Sequence, residues 1–271
     1  MKGISPDSID VIVDKIIHMP KYKGVDIPVG TIRSLAEKCA PASKNAADLE
    51  KRVRGKIHNI VASWLGDADY DQAKAEFNRI KGEPEAVKEF SRQTLMLHSS
   101  TKERGLDLAL FYQVLFEQIG KADRIADLAC GLHPLGLPYM GLPKDAAYYA
   151  YDLNKARADF LNDFILGLGY GGGCFHRDIL LDPPAIRFDA AFFFKEAQRF
   201  EKREPGVMPA FIDSIMASKV VVSLPLQGLG SRNPLPPAYG AMIRRYAEGR
   251  GMPLKSFAFG NEIFYIIDKR N

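Results

Sequence analysis

The chain has 271 residues, 46% of them hydrophobic and 26% charged, which is enough apolar material to bury a core in one large or two unequal domains. A net charge of +4 and a pI near 8.8 permit a nucleic-acid partner without demanding one. Cys39, Cys130 and Cys174 are odd in number, far apart and without a Cys-x-x-Cys pair, so neither a disulfide framework nor a zinc site is expected. With no apolar run of about 18 residues and no signal-peptide core, a cytoplasmic protein without a membrane span is expected.

Residues 1–96 read as helices. Ser5-Pro6 starts the first, with Ile9, Ile12, Val13, Ile16 and Ile17 on one face before Met19-Pro20 ends it. Thr31 to Cys39 is a short second helix. Ser43 is the expected cap of a long third one, whose apolar stripe runs Leu49, Val53, Ile57, Ile60, Val61, Trp64, Leu65 up to Gly66. Tyr70–Ile80 and Pro84–His98 are two more. The third helix carries Lys51, Arg52, Arg54 and Lys56 on the side away from its stripe: a solvated face, or a set of phosphate contacts with RNA. Lys21-Tyr22-Lys23 is a second basic patch.

The pattern changes after Leu106–Gln118, a helix whose expected cap is Ser100 or Thr101. Strands are predicted at 124–129, 147–151, 173–177, 188–194, 219–224, 254–259 and 263–267, with helices at 135–140, 155–168, 208–216 and 238–248 between most of them. Strand–helix alternation gives a mostly parallel sheet covered on both faces. Asn261 and Glu262 separate the last two strands closely, which only an antiparallel hairpin permits. This arrangement resembles the class I S-adenosylmethionine (SAM) methyltransferase fold: α/β, Rossmann-like, seven-stranded, here preceded by an all-helical N-terminal domain. The expected division is a helical docking domain over 1–96 and a methyltransferase domain over 97–271.

Acidic residues recur where the early strands end: Asp127, then Asp152 25 residues later, then Asp178. The carboxyl ends of strands are where open α/β sheets bind ligands, and the second acid has the offset that suits ribose hydroxyls. After the first strand comes Gly131, then Pro134 and Gly136, not G-x-G-x-x-G, so a pyrophosphate finds no cradle; SAM needs none. Arg104 has the planar fork that matches a carboxylate. The five histidines, His18, His58, His98, His133 and His176, show no metal spacing and read as packing or surface, with His98 and His133 nearest the expected pocket.

Two stretches carry a more specific signal. His98-x-Ser100-Thr101-Lys102-Glu103-Arg104, followed by Asp127-x-Ala129-Cys130-Gly131-Leu132-x-Pro134-Leu135, resembles the aminoglycoside-resistance 16S rRNA methyltransferases that modify N7 of guanine 1405 in the decoding site. Lys21-Tyr22, Lys195 to Gly206, Ser223-x-Pro225-x-x-x-Leu229-Gly230-x-Arg232 and Gly260-x-Glu262 with Tyr265 extend the resemblance over most of the chain. It implies SAM as cofactor, with Arg104 on its carboxylate and His98 beside it. Asp127, Ala129, Cys130 and Gly131 would hold the methionine part, Asp152 and Leu153 the ribose, Asp178 and Ile179 the adenine. Lys195, also bordering the cofactor, and Arg232 would position the guanine. Ser223, Leu229 and Arg232 would lie near the rRNA, with Lys21, Lys51, Arg52, Arg54 and Lys56 docking a monomer on the 30S subunit. Guanine N7 has an in-plane lone pair and no proton, so alignment rather than a general base carries the reaction.

The chain departs from that pattern at His133, where the family has Asn, at Glu196-Ala197-Gln198, where it has Leu-Leu-Pro, and at Gln227. These departures bear on the target base. A SAM-dependent enzyme acting on another rRNA base or a small molecule, and a non-catalytic ribosome-binding relative, are the competing readings.

Overall fold

The computed structural model describes residues 4–19, 26–62, 69–97, 107–226 and 238–270. The N-terminal helices are α1 (Pro6–Ile17), α2 (Val29–Cys39), α3 (Ala46–Val61), α4 (Tyr70–Ile80) and α5 (Pro84–Leu97). Ser5 caps α1, its side chain accepting from Ser8 N–H, with Pro6 at the first position where a missing N–H costs nothing. The cap of α3 is Asn45, which accepts from Asp48 N–H at 2.9 Å; Ser43, the expected cap, instead donates back to Cys39 O. Likewise α6 (Leu108–Ile119) is capped by Asp107, which accepts from Leu110 N–H at 3.0 Å; Ser100 and Thr101 lie outside the described residues. In both cases an Asx side chain nearer the first helical turn has the shorter reach to the free N–H groups.

Seven strands follow: β1 (Arg124–Leu128), β2 (Ala147–Asp152), β3 (Gly171–His176), β4 (Phe188–Phe194), β5 (Ala217–Pro225), β6 (Leu254–Phe259) and β7 (Glu262–Asp268). They form one sheet in the order β3-β2-β1-β4-β5-β7-β6, parallel except for β7, which runs antiparallel to both β5 and β6. The connecting helices are α7 (Leu137–Met140, after a 3-10 turn over His133–Gly136), α8 (Lys155–Gly167), α9 (Ala197–Arg203), α10 (Met208–Ser214) and α11 (Ala238–Gly249). Helix α9 is absent from the predicted elements, because its sequence AQRFEKR buries only Ala197 and Phe200, too few apolar positions to mark a period.

Alternation along β4 splits the core. Ala190, Phe192 and Phe194 join one apolar cluster, Ala191 and Phe193 the other. The first cluster is covered by α4, α5, α6 and α8, since Phe77, Val87, Phe90 and Leu95 pack with Phe111, Phe160 and Phe164. The second is covered by α9, α10 and α11. Helices α1–α3 keep a third core of their own, Ile9, Ile12, Val13, Ile16, Ile32, Leu35, Ala36, Leu49, Val53 and Ile57. Apolar packing therefore places α4 and α5 with the sheet and separates α1–α3.

Candidate active site

The strand order reverses between β1 and β4, so helices leave in opposite directions there and open a crevice at the carboxyl edge. Asp127, next to the end of β1, is 1% exposed. Its Oδ2 accepts from Tyr148 Oη at 2.8 Å and from His133 Nδ1 at 2.9 Å, so the carboxylate assigns the proton on that imidazole to Nδ1. Burial, reinforced by the Asp127 charge, pushes the Tyr148 hydroxyl well above its ordinary pKa and keeps it a donor. Among the described residues His133 Nε2 is buried without a hydrogen-bond partner.

The backbone then turns through Ala129 (φ 52°) and Gly131 (φ 53°), two left-handed residues bracketing Cys130. A non-glycine there is strained and persists only where its neighbours fix it. Cys130 N–H is held by Tyr151 O at 2.9 Å, and Gly131 N–H by Asp152 Oδ2 at 3.0 Å. Among the described residues a Cβ at Gly131 would meet nothing within 4 Å, so they leave the space before the turn open. Asp152 ends β2 and is 5% exposed. Arg157, one turn into α8 and equally buried, donates from Nη1 to Asp152 Oδ2 at 3.0 Å and from Nε to Tyr70 Oη at 2.9 Å. Asp152 Oδ1 accepts from Asn154 N–H at 2.8 Å alone among the described residues, which leaves an acceptor position for a hydroxyl. Burial pushes the Cys130 thiol up, with Cys174 adding to it.

At the β3 edge, His176 Nε2 lies 3.1 Å from Leu153 O, fixing the turn after Asp152. Asp178, two residues past β3, is 5% exposed. Its Oδ1 accepts from Leu180 N–H at 3.1 Å and Arg203 Nη1 at 2.9 Å; its Oδ2 accepts from Thr31 Oγ1 at 2.7 Å and from Arg203 Nη2. Ile179 is buried beside it in the second core.

Across the crevice, Lys195 follows β4 with φ 62°. Its N–H is 3.1 Å from both Ser223 O and Ser223 Oγ. Ser223 Oγ donates to Glu262 Oε2 at 2.8 Å, and Lys195 Nζ sits 3.2 Å from Glu262 Oε1. Glu262 is fully buried at the start of β7. A buried ammonium, a hydroxyl and a carboxylate thus join the ends of β4, β5 and β7. The next residue, Glu196, pairs with Arg199 at 3.1 Å. Burial raises its carboxyl to about 7 against the lowering pull of Arg199, and the Asp152 carboxylate raises it further.

Residues 19–266 match the model of the ribosomal RNA methyltransferase (FmrO) family. The chain belongs to that family. Among its relatives, the 16S rRNA (guanine(1405)-N(7))-methyltransferase of Micromonospora rosea is 29% identical, over 97% of each chain. The enzyme of the same name from Serratia marcescens is 30% identical, over 97% of this chain and 99% of its own. The crystal structure of the 16S rRNA methyltransferase RmtF in complex with S-adenosyl-L-homocysteine has the same fold, with a TM-score of 0.72 at 22% identity over 97% of this chain and 99% of that one.

In this FmrO-family methyltransferase, the crevice edge gathers Asp127, the Ala129–Gly131 turn, Asp152 and Leu153 on one side and Lys195 with Ser223 on the other, with Asp178 and Ile179 at the outer strand. Lys51, Arg52, Arg54 and Lys56 are exposed on α3, which packs on α1 and α2. Arg52 and Arg54 pair with Asp48 and Glu50 of their own helix. Lys21, His98, Arg104, Leu229 and Arg232 lie outside the described residues. Sequence reasoning passed over Thr31, Tyr148, Arg157 and Arg203. Arg157 carries a faint signal, an arginine five residues after a strand-end acid; the others need the folded chain.

Proposed function

We propose that the chain transfers the methyl group of SAM to N7 of a guanine in 16S rRNA of the 30S subunit, at the position numbered 1405 in its relatives' names. The observation that carries this reading is the crevice edge itself: an open left-handed turn tied to a buried ribose-type acid, facing a buried lysine across the switch point, in a chain related over nearly its whole length to enzymes of that name. The site suits SAM rather than a dinucleotide, because the turn offers a short open bend and no phosphate cradle. SAM supplies an electrophilic sulfonium methyl. Asp152 would accept from the ribose through Oδ1, the Ala129–Gly131 turn would border the methionine, and Arg104 with His98 would take its carboxylate end. Lys195, held by Glu262, would donate to the guanine's O6 and so aim the adjacent N7, with Arg232 assisting. No proton leaves N7, so no base is assigned.

On this reading residues 1–96 serve docking and 97–271 serve catalysis. Lys21, Lys51, Arg52, Arg54 and Lys56 contact phosphates, Ser223 and Arg232 the rRNA near its target, and the protein works as a cytoplasmic monomer that protects its host's decoding site from aminoglycosides. Incubating 30S subunits with methyl-labelled SAM, then cleaving the RNA with borohydride and aniline, tests it. Label in 16S rRNA with scission at one decoding-site guanine is expected. Label without scission would move the chemistry to another atom or base; no label in RNA would point to a small substrate.

A further inference from the structure

We propose that Asp178 is the joint that seats the α1–α3 unit on the cofactor edge, and that it is not an acceptor for the adenine amino group; the proposal rests on reading that edge as the SAM site. An ionised carboxylate offers about four lone-pair positions. Asp178 uses four: Leu180 N–H and Arg203 Nη1 on one oxygen, Thr31 Oγ1 and Arg203 Nη2 on the other. An adenine amine would have to displace one of them.

The donors come from three places in the chain. Leu180 belongs to the turn after β3, Arg203 to the last turn of α9, and Thr31 to the first turn of α2, 147 residues away. Thr31 is fully buried, so its hydroxyl has no water to turn to. The other end of α2 is tied to the same segment: Lys38, in its last turn, pairs at 2.5 Å with Glu204, the residue after Arg203. Helix α2 is therefore stapled near both ends, through a buried charge-assisted bond at one and an exposed pair at the other, and the buried one carries most of the strength. Thr31 and Arg203 become positioning residues. They set where the helices that would meet the ribosome stand relative to the methyl donor, and the adenine amine must be met by backbone groups of the 178–180 turn or by water.

The test crosses a side chain with a ligand group. Wild type and Asp178→Asn are titrated calorimetrically with S-adenosyl-L-homocysteine and with S-inosyl-L-homocysteine, in which a carbonyl replaces the amino group. If Asp178 does not touch that group, the ratio of the two affinities is the same in both proteins to within about twofold. A ratio that collapses about tenfold or more in Asp178→Asn overturns the proposal. Thr31→Val keeps the shape and removes only the hydroxyl, so it answers even if Asp178→Asn does not fold. It should bind S-adenosyl-L-homocysteine within about twofold of wild type, exchange α2 amide hydrogens about tenfold faster, and raise the KM for 30S subunits while kcat holds. Unchanged α2 exchange in Thr31→Val overturns it equally. A wild type inactive on 30S subunits would count against the rRNA reading alone, because the titration and exchange arms need no ribosome.

Discussion

Asp152 does two things with one carboxylate: one oxygen locks the backbone of the Ala129–Gly131 turn and neutralises Arg157, and the other keeps an acceptor for a ligand. Replacing it by Asn should therefore weaken S-adenosyl-L-homocysteine binding by about 10- to 100-fold in a calorimetric titration. It should also lower the unfolding midpoint, because the buried Arg157 would lose the Asp152 charge to which it donates. A variant with full affinity would remove Asp152 from the cofactor site. Glu196 makes a pH prediction. Its carboxyl is raised by burial from 4.5 to about 7. A folded-state value above the unfolded one means that its contribution to stability is complete below about pH 4.5 and is lost as pH rises through 7. Between pH 5 and 8 the wild type should lose on the order of 1–3 kcal/mol more unfolding free energy than Glu196→Gln, read from urea midpoints at each pH. Parallel pH profiles would mean that the carboxylate is well solvated.

Helix α3 and strand β7 carry the predictions at the level of elements. The pairs of Arg52 with Asp48 and Arg54 with Glu50 are exposed and worth little, so these guanidinium groups are readily transferred to phosphates. Replacing Lys51, Arg52 and Arg54 together with Ala should leave S-adenosyl-L-homocysteine affinity within about twofold and weaken 30S binding. The log–log slope of 30S affinity against salt should become shallower by roughly 0.7–0.9 for each phosphate that is no longer neutralised. An unmoved 30S affinity would make α3 a plain solvated face. Strand β7 runs back beside β5 and thereby delivers Glu262 to Lys195. In Glu262→Gln the lysine keeps the volume around it but loses the Glu262 charge, and methyl transfer should fall about 10- to 100-fold with cofactor affinity nearly unchanged. Wild-type turnover in that variant would show that Lys195 needs no such hold.

For the molecule as a whole, ligand at the crevice binds only the folded chain. S-adenosyl-L-homocysteine at about 100 times its Kd should add roughly 2.7 kcal/mol and raise Tm by about 5–10 °C for a chain of this size. The α3 triple variant should show the same rise, since its charges lie on the separate α1–α3 core. A rise that disappears in that variant would tie cofactor binding to α3. The parallel part of the sheet was legible in advance: β4 has the bounds read from its apolar run, because a buried parallel strand needs a continuous hydrophobic stretch and little else satisfies one. Asp127, Gly131 and Asp152 were legible for the same reason, as interruptions at the ends of such stretches.

What the residues alone determined is what depends on neighbours in sequence: the helical N-terminal third, the alternation that dictates a doubly covered sheet, the closing hairpin, and the motifs on which the family resemblance rests. What only the tertiary structure decided is which distant side chains share one charge. Thr31 and Arg203 on Asp178, Glu262 on Lys195 and Tyr148 on Asp127 are partnered across 147, 25, 67 and 21 positions. A hydrogen bond or ion pair is specified by position in space to a few tenths of an ångström, and no periodicity along the chain encodes that. The same holds for α4 and α5, whose amphipathic stripes announce helices but cannot say which core they will cover; packing gave them to the sheet, against α8, and left α1–α3 to stand on a joint of their own.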